Sequence, residues 1–198
     1  MSGSDLEVQW LVRPGDVPGA LRRALTDCWR DVANAGGAVG FAEEVPVSAA
    51  VVAPAVDSIV AGLDPRRGRL LVATRDGDLA GWLLLTCNED PVVAHWGRVT
   101  RIQTALPARG TGVGRALMTE LHRCARDDLG LDSLRLEVRG DWGLEPFYEK
   151  LGWRVVGAWP GALQFTEHGR RDEVLMALDL RGGTPVAPSR GSRRACEA

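Results

Sequence analysis

Polar and apolar positions alternate in Leu6-Glu-Val-Gln-Trp-Leu-Val12, the period of two that a half-buried strand shows. Pro14-Gly-Asp stops that strand. Val17, Leu21, Ala24, Leu25, Cys28, Trp29 and Val32 then recur at helical spacing, which predicts an amphipathic helix over 16–34 that ends at Gly36-Gly37. A glycine-rich loop follows, Gly36-Gly-Ala-Val-Gly-Phe41. Ser48 is placed to cap a second helix running to about Leu63, with Pro54 near its first turn or kinking it. Arg69–Thr74 and Leu79–Thr86 read as two strands joined at Asp76-Gly77, a pair suited to a tight hairpin. Asn88-Glu-Asp-Pro91 turns the chain into an extended segment, Trp96–Ala105. From Val113 the pattern is helical again, with Ala116, Leu117, Leu121, Cys124 and Ala125 on one face and a stop at Gly130. Ser133–Val138 alternates as a strand. Gly143–Leu151 reads as a short helix, Trp153–Gly157 as a strand, and Leu163–Phe165 with Asp172–Leu180 as a hairpin around His168-Gly-Arg. The order is β, α, α, β, β, β, α, β, α, β, β, with no internal repeat.

A chain of 198 residues is long enough for one domain with a substantial core. We expect that domain over 1–180 and a disordered tail over 181–198, where Gly, Pro, Ser and Arg dominate. The net charge of −2 gives no case for nucleic acid or an acidic membrane surface. No apolar run approaches the roughly 20 residues of a membrane span. The N-terminus, Met-Ser-Gly-Ser-Asp-Leu-Glu, is polar and acidic and does not read as a signal peptide. Cys28, Cys87, Cys124 and Cys196 lack paired spacing, so they read as free thiols in a cytoplasmic protein without a metal site.

The chemistry is expected at Leu106-Pro-Ala-Arg-Gly-Thr-Gly-Val-Gly-Arg115. Gly110, Gly112 and Gly114 lie between a strand and a helix. Glycine permits positive φ and lets backbone N–H groups approach a ligand. A helix N-terminus has unpaired N–H donors and a positive dipole end, which together bind anions, phosphate above all. The turn lacks the Gly-Lys-Ser/Thr of a P-loop, because Arg115-Ala116 follows Gly114. It also lacks the G-x-G-x-x-G spacing of a dinucleotide turn, and Asp132 falls before the next strand instead of at its end.

Arg109, Gly112 and Gly114 do match Arg/Gln-x-x-Gly-x-Gly/Ala, and Phe147-Tyr-Glu-Lys-Leu-Gly-Trp153 lies downstream. With the element order, these two segments resemble the GNAT superfamily of N-acetyltransferases over roughly residues 6–180. The resemblance implies an α/β (α+β) fold with a central, mostly antiparallel mixed sheet of about seven strands and about four helices. It implies acetyl transfer from acetyl-CoA to an amine, by direct attack on the thioester carbonyl. The cofactor is expected on Ile102, Gln103, Thr104, Arg109, Gly110, Thr111, Gly112, Val113, Gly114 and Arg115, with a main-chain N–H near Thr104 polarising the carbonyl. Tyr148, the only tyrosine, is the expected general acid at the leaving sulfur. His95 and Glu137 are candidates for the base, although each also suits a solvated or structural role. His122 and His168 do not read as catalytic. Trp82, Trp96, Trp153 and Trp159 are candidate pocket walls, and Glu43, Glu44 and Asp57 are candidate contacts to a cationic substrate. Two positions depart from the family: Leu106 stands where a proline is usual, with Pro107 following, and Asp141 stands where an asparagine is frequent. Gly36–Phe41 and Val156-Gly-Ala-Trp-Pro-Gly161 resemble tabtoxin-resistance-type acetyltransferases, which suggests a small polar amine such as an amino acid derivative, toxin or antibiotic. A non-catalytic acyl-CoA sensor on the same fold is the rival reading. An apolar hairpin at the sheet edge (Val174, Leu175, Met176, Leu178) suggests a homodimer.

Overall fold

The computed structural model describes residues 5–37, 40–41, 46–165 and 169–182. Four helices and seven strands follow in the expected order: β1 (Leu6–Leu11), α1 (Gly19–Asn34), α2 (Ala49–Ala61), β2 (Gly68–Arg75), β3 (Asp78–Cys87), β4 (Trp96–Thr104), α3 (Val113–Arg123), β5 (Ser133–Arg139), α4 (Glu145–Glu149), β6 (Arg154–Phe165) and β7 (Gly169–Asp179). The strands form one sheet in the order β1-β2-β3-β4-β5-β7-β6. Every neighbour pair is antiparallel except β4 and β5. This is the mixed sheet with flanking helices that the resemblance implied.

The period of two sorts each strand between two cores. Leu71, Leu83, Leu85, Leu134, Leu136 and Met176 face α3, whose Val113, Leu117, Met118 and Leu121 cover them. On the opposite side Leu70, Val72 and Trp82 face Leu25, Trp29 and Val32 of α1 and Val52, Val56 and Val60 of α2. The Asp76-Gly77 hairpin has positive φ at both residues, 53° and 87°, as a primed two-residue turn requires.

Several boundaries differ from expectation. Ser48 is the N-cap of α2, but its side chain makes no capping hydrogen bond, and Pro54 lies inside that helix. After Arg123 the third helix widens to a π turn over Cys124–Asp128, closed by Leu129 N donating to Cys124 O at 3.0 Å. Trp153–Gly157 and Leu163–Phe165 are parts of one strand, β6, whose register slips between Trp159 and Leu163. Pro160 and Gly161, the latter at φ 61°, sit at that slip, where a missing donor and a left-handed residue cost the ladder little. Val174, Leu175, Met176 and Leu178 lie on β7, inside β6, so they do not form the sheet edge. Beyond Gly182 the expected tail lies outside the described residues, as do Glu43, Glu44, His168 and Cys196.

Gly81 shows how closely these layers approach. A Cβ there would lie 2.7 Å from the Gln103 carbonyl oxygen, 2.9 Å from Val113 Cγ1 and 3.2 Å from Leu117 Cδ1. Only a glycine lets β4 and the start of α3 close over β3 at this point. Gly81→Ala is therefore expected to cost about 1–3 kcal/mol of stability, as overpacking does. Urea denaturation would measure that loss, and an unchanged midpoint would contradict the packing described.

Candidate active site

The site begins where β4 and β5 part. Their parallel pairing holds over three residue pairs, Trp96 with Ser133, Gly97 with Leu134 and Arg98 with Arg135. From Val99 and Leu136 onward the strands diverge, and a cleft of about 1030 Å³ opens between them. A bulge in β4 assists the parting. Trp82 and Leu84 of β3, two residues apart, pair with Gln103 and Thr100, which are three apart. Arg101 absorbs the extra residue at φ 57°, a left-handed conformation that costs a non-glycine residue about 1–2 kcal/mol.

At one end of the cleft lies the glycine turn. A single 3₁₀ turn over Leu106–Ala108 carries Pro107 and delivers the chain to Arg109. Gly110 and Gly112 have φ of 74° and 88°, and nothing lies within 4 Å of where their Cβ atoms would be. Gly112 is the N-cap of α3, without a side-chain cap. The first helical hydrogen bond runs from Ala116 N to Gly112 O at 3.0 Å, so the N–H groups of Val113, Gly114 and Arg115 face the cleft unspent, as in any first helical turn. Arg109 and Arg115 are exposed on the rim. Gly114 is needed for a different reason: a Cβ would lie 3.3 Å from Phe147 Cζ, so the glycine lets α4 approach. Thr111 does not line the cleft. Its hydroxyl donates to Ala108 O at 2.8 Å and accepts from Arg75 Nη1 at 2.9 Å, so it braces the turn.

Along β4, Ile102, Gln103 and Thr104 all line the cleft. The Gln103 carbonyl faces β3, as its closeness to Gly81 shows. Strand alternation then turns the peptide groups of Ile102 and Thr104 toward the cleft. The Gln103 side chain is 2% exposed, and neither its Nε2 nor its Oε1 has a hydrogen-bond partner.

Tyr148 lines the cleft from the α4 side. It is 6% exposed, with Phe147 edge-on at 5.1 Å and Trp153 at 6.1 Å. Burial pushes its hydroxyl well above the usual phenol range, so it keeps its proton at any physiological pH. Of the two expected bases, His95 stands in an exposed turn outside the cleft. Glu137 lines the cleft but is ion-paired with Arg98 at 3.2 Å.

Other expectations change more. Trp82 and Trp153 are core residues, 1% exposed. Trp96 stacks under Arg135 at 4.0 Å, and Trp159 is exposed on β6. The tryptophan in the cleft wall is Trp142. Asp57 is held by Arg22 at 3.2 Å on the surface. Asp141, at φ 65°, is not among the lining residues. Pattern reading passed over Arg101, Arg139 and Glu173, which line the cleft. Their only sequence signal is a charge on an alternating strand, which also describes an ordinary solvated face.

His122 is structural, as its place beside the apolar stripe suggested. Trp153 Nε1 donates to its Nε2 at 3.0 Å, and burial lowers its pKa to about 4. A folded-state value below the ordinary ~6.5 means that the neutral ring contributes stability above ~6.5. That contribution is lost as pH falls toward 4, and amounts to about 3 kcal/mol at most for a half-buried group. His122→Gln keeps an acceptor for Trp153 and removes the titration. It is expected to flatten the pH dependence of unfolding between pH 6.5 and 4, measured by denaturant titration at stepped pH.

Residues 66–155 match the family model described as an acetyltransferase (GNAT) domain. No match was found among curated proteins. Among solved structures, a candidate phosphinothricin N-acetyltransferase is 23% identical with a TM-score of 0.71, covering 89% of this chain and 99% of its own. An acetyltransferase from Salmonella typhimurium, solved with its cofactor acetyl-CoA, is 16% identical with a TM-score of 0.66, covering 93% and 99%. The ribosomal-protein-S18-alanine N-acetyltransferase from Escherichia coli is 19% identical with a TM-score of 0.64, covering 93% and 98%. At such identities the structures establish a shared fold. The match over 66–155 takes in β4, the glycine turn and Tyr148.

Proposed function

Taking residues 66–155 as a GNAT acetyltransferase domain, we propose that the chain transfers acetyl from acetyl-CoA to the amine of a small polar molecule. The observation that carries this reading is the convergence on one cleft of the unspent N–H groups of α3, the parted β4 strand and Tyr148. The residues fit the cofactor. Its diphosphate would meet the N–H groups of Val113, Gly114 and Arg115, with Arg109 and Arg115 supplying charge. The uncrowded Cβ positions of Gly110 and Gly112 leave room for it. Acetyl-CoA supplies an acetyl group activated as a thioester.

The remaining work falls to the chain. The peptide N–H of Thr104 faces the cleft and is placed to receive the negative charge that develops on the carbonyl oxygen. Glu173, which lines the cleft and has no ion pair among the described residues, is better placed than Arg98-bound Glu137 to take a proton from the substrate ammonium, so that the neutral amine attacks the thioester carbonyl. Tyr148 faces the leaving sulfur. A phenol of ordinary pKa ~10 gives up its proton to a thiolate of ~8.5 only against a gradient of about 2 kcal/mol, and burial steepens it. Tyr148 therefore serves best as a hydrogen-bond donor that holds negative charge on sulfur, the proton being committed only as that charge develops.

Retention of Tyr148 favours the enzyme over a cofactor-binding sensor. Tyr148→Phe removes the donor and, since the hydroxyl has no partner among the described residues, no hydrogen bond of the fold. Turnover is expected to fall by about 10²-fold, with acetyl-CoA affinity and melting temperature nearly unchanged. Gly112→Glu is expected to do the opposite, abolishing acetyl-CoA binding in calorimetry while the fold persists. Loss of turnover below fivefold in Tyr148→Phe would remove the tyrosine from the mechanism.

The same reading extends to assembly and place. β6 is an edge strand that exposes Val155 (49%), Val156 (62%) and Trp159 (59%), and an apolar edge favours pairing with a second copy. Light scattering at micromolar concentration should give a dimer mass; a monomer mass would exclude the pairing. Cys28, Cys87 and Cys124 are free thiols, and among the described residues no helix is long and apolar enough to cross a membrane. Both features suit a cytoplasmic enzyme.

A further inference from the structure

An anion site built from backbone N–H groups works only while the backbone keeps one shape. In the turn before α3, Gly110 and Gly112 hold φ of 74° and 88°, and nothing lies within 4 Å of where their Cβ atoms would be. Packing therefore does not hold them. Glycine has the widest choice of backbone conformations, so two glycines around one residue would let an unbraced turn sample many shapes. Thr111, between them, is the position with a side chain by which the turn can be gripped.

The grip comes from β2. Leu71 and Ala73 of that strand face α3, and Arg75 carries the row on to the turn that precedes the helix. Arg75 Nη1 donates to Thr111 Oγ1 at 2.9 Å, and Nη2 donates to Thr111 O at 3.5 Å. Thr111 Oγ1 donates in turn to Ala108 O at 2.8 Å, and Thr111 N donates to the same carbonyl at 3.4 Å. The bonds to Ala108 close the turn on itself; the bonds from Arg75 tie it to the sheet. The guanidinium reaches the turn past two carboxylates. Asp76 follows it in sequence and Asp78 is its register partner across the hairpin, yet among the described residues it forms no ion pair. Its Nε is buried without a partner. An unneutralised cation thus stands behind a turn whose rim already carries Arg109 and Arg115.

We propose that Arg75 is a positioning residue of the acetyl-CoA site. Acting through Thr111, it holds Gly110 and Gly112 in the left-handed shape that presents the N–H groups of Val113, Gly114 and Arg115, and its charge adds to the field of those donors. The inference rests on the glycine turn being the diphosphate site. Arg75 is not among the residues that line the cleft, so its effect reaches the cofactor through the turn. A site formed only part of the time binds with an affinity reduced by that fraction, and the brace raises the fraction. A charge hydrogen-bonded to the middle of the turn is also near enough to act on an anion there, the screening length being ~8 Å at physiological salt.

Calorimetry would measure acetyl-CoA binding to the full chain and to its Arg75→Met, Arg75→Lys and Thr111→Val variants. Methionine keeps the apolar stem and removes charge and donors; lysine keeps the charge. Arg75→Met and Thr111→Val are each expected to weaken binding by about tenfold. The double variant should lose no more than Arg75→Met alone, because both changes break the same contact. Arg75→Lys should lose less than Arg75→Met and keep the wild-type salt dependence of Kd between ~0.05 and ~0.5 M NaCl, which should be shallower in Arg75→Met. A further readout needs no cofactor. In the unliganded protein, Arg75→Met should speed hydrogen exchange about tenfold at the Ala116 amide, whose bond to Gly112 O begins α3. Thr111→Val, on an exposed turn, keeps the test open if Arg75→Met does not fold. Wild-type affinity in either single variant overturns the brace, and so do losses that multiply in the double variant. A lower melting temperature in Arg75→Met with affinity and salt dependence unchanged makes Arg75 structural only and overturns it too. If the wild type itself binds no acetyl-CoA, the diphosphate reading falls with the brace; if it binds and every variant binds equally, the brace alone falls.

Discussion

The structure depends on the short life of one strand pairing. β4 and β5 run side by side for three residue pairs and then part. Parallel neighbours need a crossover connection, and here it is α3. The helix must leave from the far end of β4 and return the chain to the near end of β5. Its N-terminus is therefore delivered to the open end of the gap, where the unpaired N–H groups of the helix and the unpaired edge of β4 face the same space. An unmet backbone donor or acceptor away from water is costly, so a sheet that opens this way is stable only if the gap holds water or a ligand. On the proposed reading, the parting offers the diphosphate the helix donors at the mouth and the thioester carbonyl a peptide N–H along the wall, both from backbone alone.

Side chains then divide the cleft by charge and by face. The α3 face supplies Tyr148, Phe147 and the glycine turn, joined to one apolar core. The other face supplies Arg101, Gln103, Arg139 and Glu173. Strand alternation enforces this division, because successive residues of β5 must serve opposite faces. Leu136 and Val138 anchor the strand to the core on one side, and that anchoring fixes the direction of Glu137 and Arg139 on the other. Gln103 is the tightest case, buried with both amide atoms unpartnered beside the bulge that turns Arg101. A buried amide without partners is costly, and a ligand in the cleft that met it would offset that cost.

The order of the elements was legible because each carries a strong periodic signal bounded by glycine or proline. The same holds for the glycine turn, where Gly110, Gly112 and Gly114 fall between a strand and a helix start. The charged face of the cleft was not legible, for a physical reason. Arg101, Arg139 and Glu173 are charged residues on alternating strands, the pattern of any solvated sheet face. Only the gap between β4 and β5 makes that face part of a cleft, and a parting of strands leaves no periodic trace. The bulge at Arg101 is similarly silent, since no glycine marks it. The tryptophans failed the opposite way: Trp82 and Trp153 are large enough to suggest pocket walls, yet their size is what fits them to the two cores, and the smaller exposed face of Trp142 does the lining.

Tyr148 ties these levels together. It belongs to the core by burial and to the cleft by position, and its burial determines what it can do. A solvated phenol would be the stronger acid, but water would compete for its hydrogen bond. Enclosed between Phe147 and Trp153, the hydroxyl holds its proton more firmly and meets little competition from solvent. Such a group stabilises negative charge on a neighbouring atom more than it neutralises it. A thiolate, already a tolerable leaving group at its ordinary pKa near ~8.5, needs stabilisation more than protonation. The packing that raises the phenol's pKa thus suits the role proposed for it, a hydrogen-bond donor to the leaving sulfur.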